Sequence, residues 1–529
     1  MLPELVYASL ACNKDFNLTD AKSPRPIDQP ARVMFFLLTL GSLVCRWWWF
    51  RNTVGMFYGG GVEEGGRLAL AYHFQIMSIM PPLPMALGAI VLHFAPNVVY
   101  VTRWLSLIFG LFTPGMVFLA LRRVDIYCAT GAAVALIVSP EHNQFSTTGT
   151  GEALSYFFIA ALAYAVGRAF ASVKDEQTRR AKKWSIAAVL FCAAASLTRF
   201  ENWVLIPFVL LYAALRFRRT IYIWIFVVAV PLWWLWYSHK HWGSITTSSH
   251  LVPQWAPDAA KDNMIRTATG VLRDVGPIPM VLAALGVLWP LLRRRFAQLS
   301  IYGAVVPAFI LFMLGQGKIP IDAKYEYNVV VWCQLFFGAG AGAIAALLVE
   351  RLPNALPGPT VLARWKPAIG LVIVAAIILP LNQKYGAEAV TNRLAAEGPT
   401  FHYTRMFAKK APELYQRFAQ GQGHVSLALS LGNRQYFNIY SDRRMQRYLE
   451  SPGRYWEKKD LLSKAIADLV TNAASVNATP PALVVVDLTP QNSPHDDLKP
   501  NQVIEGYSVA RVYDELGFRV YRIAAVGSP

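Results

Sequence analysis

The chain has 529 residues, of which 55% are hydrophobic and 16% charged, with 16 Trp and a formal charge of +18. That is too apolar for an ordinary soluble protein and too charged to be membrane span throughout. The basic residues sit in short turns between apolar stretches, which excludes the continuous basic stripe of a nucleic-acid binder.

Residues 1–32 are polar and Pro-rich without an apolar core, so they read as a cytoplasmic tail and not as a signal peptide. Apolar stretches then predict about eleven spans near 33–50, 103–121, 125–140, 153–171, 184–199, 203–216, 220–238, 277–292, 298–315, 327–349 and 366–381. The basic turns between them are Arg122–Arg123, Arg179–Arg180 with Lys182–Lys183, Arg216 with Arg218 and Arg219, and Arg293–Arg295. With a cytoplasmic N-terminus, eleven spans put the tail and all of these turns on one side, as the positive-inside rule requires. The apolar segment 76–99 would break that arrangement as a twelfth span, and Pro81, Pro82 and Pro84 interrupt any regular helix there. It is therefore expected to lie along the interface or to re-enter.

The five cysteines, Cys12, Cys45, Cys128, Cys192 and Cys333, fall in the tail or in spans, so neither a disulfide framework nor a Cys-based metal site is expected. From about 382 the pattern changes. Alternating stretches such as "ALVVVDL" (482–488) and "FRVYRI" (518–523) follow an amphipathic "WEKKDLLSKAIADLV". The expected fold is an all-α polytopic membrane domain over 33–381 and a soluble α/β domain over 382–529 on the outer face.

Chemistry is expected at the outer ends of the spans. Glu63 and Glu64 in "GGGVEEGGRLA" open the first outer loop; they suit either a helix start, where acidic side chains meet the helix dipole, or a general base for a hydroxyl proton. Glu152 in "TGTGEALSYFF" is either an N-terminal helix carboxylate capped by Thr148 or Thr150, or half of a two-carboxylate site with the pair; Glu141 and His142 are placed to join it. A third, cationic group comprises Arg199 beside Glu201, Lys240 between His239 and His241, Lys318 and Lys324. Each alone reads as a snorkelling side chain, but together, on a face that otherwise avoids positive charge, they suit a shared anion such as a lipid-linked phosphate. The histidines are scattered and no HExxH or CxxC-type spacing occurs, so no motif supports a metal, although a divalent ion is left open as a cofactor. Neither a Walker loop nor GxGxxG is found.

In this order the motifs resemble the GT-C superfamily of polyprenyl-phosphate-sugar-dependent glycosyltransferases, in particular the branch with the lipid A aminoarabinose transferase and protein O-mannosyltransferases. The likeness runs over residues 33–381: "VEEGGRLA" for an acidic pair, "PPLP" for an interfacial "PPLYP", "GEALSYFF", "LTRFEN" for "LTRPE", and "KYEYNVVV" for Arg-Tyr before a span. The resemblance implies an inverting transfer of a sugar from a polyprenyl-phosphate donor to a glycan, lipid or protein acceptor hydroxyl. It implies Glu63 as base with Glu64 beside it and Glu152 as the second acidic residue. It also makes Arg199 and Lys324 phosphate ligands and has Tyr325 position the phosphate; Lys240 and Lys318 join them from the outward-facing cationic group. The implied location is the bacterial inner membrane, with the site and the C-terminal domain periplasmic and membrane lipids as partners.

Three positions depart from the family pattern: Glu63 replaces Asp, Met80 stands where many members have His or Lys before "PPL", and Lys324 replaces Arg and so lacks the bidentate fork. The rival expectation is a transporter or flippase for a lipid-linked sugar. Ionisable residues buried within spans, or two related halves, would mark one; here the candidate residues stand at the outer ends of spans and no related halves are found.

Overall fold

The computed structural model describes residues 29–53, 82–94, 101–149, 151–174, 177–242, 260–293, 297–316, 323–351 and 359–387, and further on 406–407, 410–418, 425–428, 461–475, 480–487 and 495–527. Glu63, Glu64 and Lys318 lie outside these residues, as does most of the proline-rich stretch 76–82.

The first part is helical: α1 (Gln29–Thr53), α2 (Leu83–Phe94), α3 (Val101–Leu121), α4 (Ile126–Val138), α5 (Pro140–Thr147), α6 (Glu152–Lys174), α7 (Thr178–Thr198) and α8 (Leu205–Arg216). After short helical turns come α9 (Ala229–Trp242), α10 (Ala260–Val275), α11 (Pro277–Leu292), α12 (Gln298–Gly315), α13 (Ala323–Arg351) and α14 (Pro359–Asn382). Among the described residues seven helices are long and apolar enough to cross a membrane, or eight if α10 and α11, bent by 99° at Gly276, count as one span. The chain is a multi-pass membrane protein.

Each of the eleven expected segments falls on helix, but several fall short of a free-standing span. α7 opens with the charged "TRRAKK", α4 has 13 residues, and the 203–216 segment starts with a 3-10 turn before α8. α2, inside the 76–99 segment, has 12 residues; at 1.5 Å per residue it reaches about 18 Å, well under the roughly 30 Å of a bilayer core.

α13 is the axis of the bundle, flanked by α4, α11 and α14. Its "GAGAGA" run explains how three backbones come so close. A Cβ added at Gly338 or Gly342 would collide with the carbonyl oxygens of Gly131 and Tyr127 on α4, and one at Gly340 with that of Leu282 on α11. Small residues that let helix backbones touch are the main packing device inside a bilayer, where apolar burial gives no drive toward association.

α4 and α5 form a broken pair. Asp125 caps α4 by accepting from the amides of Tyr127 (2.8 Å) and Cys128 (3.1 Å). At its far end the exposed carbonyls of Ile137 and Val138 receive the side-chain amides of Asn143 and Asn382, both at 3.0 Å. Ser139 then caps α5, its hydroxyl accepting from the His142 amide at 3.1 Å, with Pro140 in the first turn. α5 reads PEHNQFST, yet every residue of it is buried. Ser146, Thr147 and Thr148 fold their hydroxyls back onto the carbonyls of His142, Asn143 and Gln144.

The C-terminal part carries a five-stranded sheet, β1 (Val425–Ala428), β2 (Leu483–Asp487), β3 (Gln502–Ile504), β4 (Tyr507–Glu515) and β5 (Phe518–Ala525), in the order β1-β2-β5-β4-β3. The β1–β2 pair is parallel and the others antiparallel. In β2, Leu483 and Val485 pack on Phe407 and Leu414 on one face, while Val484 and Val486 pack on α15 (Leu462–Ser475) through Leu462 and Ile466 on the other. Burial on both faces is why "LVVV" is apolar throughout and lacks the alternation expected of it. The hairpins turn at Glu505–Gly506 and Leu516–Gly517, each with two positive φ angles, the geometry that matches strand twist. The expected membrane-helix and α/β architecture is borne out.

Candidate active site

Three chain segments converge on one guanidinium. α7 ends at Thr198, and Arg199 is extended (φ −153°) before a 3-10 turn, Phe200–Val204. Asn202 pins that turn: its side-chain amide donates to the Ser155 hydroxyl on α6 (2.8 Å) and to the Ala195 carbonyl at the end of α7 (2.7 Å). Trp203 adds a bond from its indole to the Ser196 carbonyl at 3.1 Å. The extended residue between two held ends points its side chain at the first turn of α6.

There Arg199 meets Glu152 through Nη1, and it grips Glu201 with two nitrogens, Nη2 at 2.7 Å and Nε at 3.2 Å. Tyr325 of α13 closes the arrangement, with the guanidinium carbon 5.6 Å from its ring centroid. Glu152 is fully buried and Arg199 is 6% exposed, so this is an ion triad out of water and not a snorkelling cation. An anion brought to Arg199 therefore faces two carboxylates. Glu152 has one oxygen in the Arg199 pair and the other, Oε2, without a hydrogen-bond partner among the described residues.

One turn further along α6, on the face of Glu152, Tyr156 is buried, and its hydroxyl has no partner among the described residues. Its ring lies 5.7 Å from that of His142 and edge-on to Trp332 at 5.5 Å. Glu141 accepts from the side-chain amide of Gln334 on α13 at 2.8 Å. Behind His142, α1 contributes Arg46, fully buried in its span, which donates to His142 Nδ1 and to the Ser42 hydroxyl and carbonyl.

The structure thus brings together Glu152, Arg199 and Tyr325 of the residues singled out in the sequence. Glu152 does open a helix; of its two candidate caps, Thr148 donates its hydroxyl to the Gln144 carbonyl, and Thr150 lies outside the described residues. Lys240 stands apart, exposed near the end of α9 with its ammonium 5.2 Å from the Trp236 ring, and His239 and His241 are exposed beside it. Lys324 lies in the first turn of α13, and its side chain is outside the described residues, as are Glu63, Glu64 and Lys318 altogether. Among the described residues no three His, Cys, Asp or Glu side chains group closely enough to hold a metal ion.

Sequence reasoning missed Asn202, Tyr156 and Arg46, and did not foresee that Glu201 holds Arg199. Arg46 had a signal: an arginine within "LGSLVCRWWWF" is a charge inside an apolar span, and such residues are rare there.

Two solved structures match the chain over nearly all of its length. One is ArnT from Cupriavidus metallidurans bound to undecaprenyl phosphate, 13% identical, with a TM-score of 0.56, covering 94% of this chain and 99% of that one. The other is ArnT from the same organism in the apo state, also 13% identical, with a TM-score of 0.55 and coverage of 93% and 98%. The chain has an ArnT-like fold. The fold expected from the motifs is therefore matched by structures that cover 93–94% of this chain. No protein-family model matches the sequence, and no curated protein matches it.

Proposed function

We propose that the protein is a membrane glycosyltransferase that moves a sugar from a polyprenyl-phosphate donor to an acceptor hydroxyl. The observation that carries this reading is an ArnT-like fold in which the second acidic position, Glu152, is buried and held by Arg199 over Tyr325. One ArnT structure holds undecaprenyl phosphate, which supports the same class of donor here.

In this mechanism Glu63, with Glu64 beside it, takes the proton of the acceptor hydroxyl. The acceptor oxygen attacks the anomeric carbon from the face opposite the phosphate, the bond from that carbon to the phosphate oxygen breaks, and the lipid phosphate departs with inversion. The cations Lys324 and Lys318 stabilise the charge gathering on the leaving phosphate. Arg199 contributes by fixing Glu152, because its own charge is already balanced by Glu152 and Glu201. The site and residues 382–529 face the periplasm of a bacterial inner membrane, an orientation supported by the basic turns on the opposite side.

Reconstitution in liposomes with radiolabelled polyprenyl-phosphate sugars tests this. Wild type forms a labelled acceptor product, and Glu63→Gln and Glu152→Gln lose about 10²–10⁴ of the rate. Unchanged transfer in both variants overturns the catalytic assignment. Donor that crosses the bilayer without product formation identifies a flippase.

A further inference from the structure

Arg46 and His142 form a buried pair on α1 and α5 that the mechanism above leaves unused. Arg46 is fully buried, and its partners are neutral: the Ser42 hydroxyl, the Ser42 carbonyl at 3.3 Å and His142 Nδ1. A cation placed inside a span without a carboxylate beside it needs a reason.

We propose that Arg46 locks His142 as the neutral tautomer protonated on Nε2, and that this N–H is a positioning group that holds a hydroxyl oxygen beside Tyr156 and Glu152. The second half of this rests on the transferase reading.

The chemistry of the donors fixes the tautomer. A guanidinium only donates hydrogen bonds, so His142 Nδ1 in contact with Arg46 must offer its lone pair. The ring proton of a neutral imidazole then sits on Nε2, and a doubly protonated ring would put two cations in contact away from water. The competing tautomer has a waiting acceptor, the Leu136 carbonyl, 3.2 Å from the same Nδ1. Arg46 is what denies His142 that bond.

Among the described residues the locked N–H has no acceptor. His142 Nε2, the Tyr156 hydroxyl and Glu152 Oε2 are all buried without hydrogen-bond partners among those residues. Tyr156 and Glu152 share a face of α6, and the rings of His142 and Tyr156 are 5.7 Å apart. The group supplies a donor, a hydroxyl that works both ways, and an acceptor. A hydroxyl-type oxygen, able to accept from the imidazole and donate to the carboxylate, satisfies all three. That oxygen belongs either to a substrate hydroxyl or to a bound water.

The test has two readouts. In reconstituted protein labelled with ¹⁵N-histidine, solid-state NMR assigns His142 by the signal lost in His142→Gln. Wild type shows a protonated Nε2 and a bare Nδ1 at neutral pH, and Arg46→Met transfers the proton to Nδ1. A bare Nε2 in wild type, or the same tautomer in Arg46→Met, overturns the proposal whatever the activity.

In the transfer assay His142→Ala lowers the rate on the order of 10²-fold, and His142→Gln, whose amide N–H stands near the Nε2 position, recovers most of it. A raised KM for donor or acceptor with kcat kept identifies a substrate hydroxyl as the held oxygen, whereas a lowered kcat with both KM values kept identifies water. Wild-type rates in His142→Ala overturn the positioning role. If wild type transfers no sugar, the transferase reading falls and the tautomer alone decides the inference.

Discussion

Asn202 reaches from the turn after α7 to the hydroxyl of Ser155 on α6, 2.8 Å away, and so ties the loop that presents Arg199 to the helix that presents Glu152. The same amide nitrogen also holds the Ala195 carbonyl at 2.7 Å. The geometry of the ion triad therefore depends on a neutral side chain that touches none of its charges.

Asn202→Leu keeps the volume but leaves the Ser155 hydroxyl without its donor and frees the turn. The expected loss is about 1–3 kcal/mol, from buried groups left unpaired. Thermal unfolding in detergent measures it. In the transfer assay the same variant should lose more activity than Ser155→Ala, which removes only one of the two bonds.

Arg199→Met strands Glu152 and Glu201 close together in a buried site. Removing one member of such a cluster costs about 3–5 kcal/mol. The double variant Arg199→Met/Glu152→Gln should be more stable than Arg199→Met alone, because one of the facing charges is gone. A double-mutant cycle on unfolding free energies checks this; simple additivity would show that Arg199 and Glu152 are not coupled.

Gly338→Val and Gly131→Val each drive a side chain into the facing backbone of α4 or α13. Backbone cannot move aside as a side-chain tip can, so both variants should fail to give a monodisperse protein on size-exclusion chromatography. Gly506→Asn, in a hairpin with open space around it and a φ of +80°, should be tolerated.

Asp497 anchors the start of α15: one carboxylate oxygen accepts the Ser463 amide at 2.8 Å and the other accepts the Ser463 hydroxyl. Burial pushes its pKa up, but the bonds from the Ser463 hydroxyl and amide outweigh that, and the carboxyl is held below its ordinary value. A depressed folded pKa gives stability that is complete above the unfolded value of about 3.9 and is lost as pH falls through the folded one. The protection of the α15 amides, taken against the intrinsic exchange rate at each pH, should therefore fall below about pH 4 in wild type. In Asp497→Asn it should already be low at neutral pH, with no further acid step from this group.

Much of the architecture is legible where one local rule decides it. The segment expected at 298–315 is α12, with the same ends, because the charged residues Arg295 and Lys318 lie on either side of an apolar run. "LVVVD" reads as a strand because its β-branched residues fill both faces of a sheet. The site was legible only in part. Glu152 and Arg199 each stand at the end of a span, where a charge attracts notice, but nothing local says that 47 positions apart they share a bond. Tyr156 hides because an aromatic in a span is ordinary core until its hydroxyl is found without a partner. Asn202 hides because a clamp is defined by what it holds, and its two partners lie on other elements.

The buried polar helix α5 also constrains how the protein is made. PEHNQFST cannot rest in lipid by itself, since its glutamate and histidine would have nothing there to bond. Its partners come from both directions along the chain: Arg46 is synthesised before it, but Gln334, which bonds Glu141, follows 193 positions later. When α5 leaves the ribosome it must therefore wait at the translocon or the bilayer surface until α13 arrives. Biogenesis then has a checkpoint near its end, and chains stopped short of α13 should expose α5 and be cleared by membrane proteases while longer ones persist.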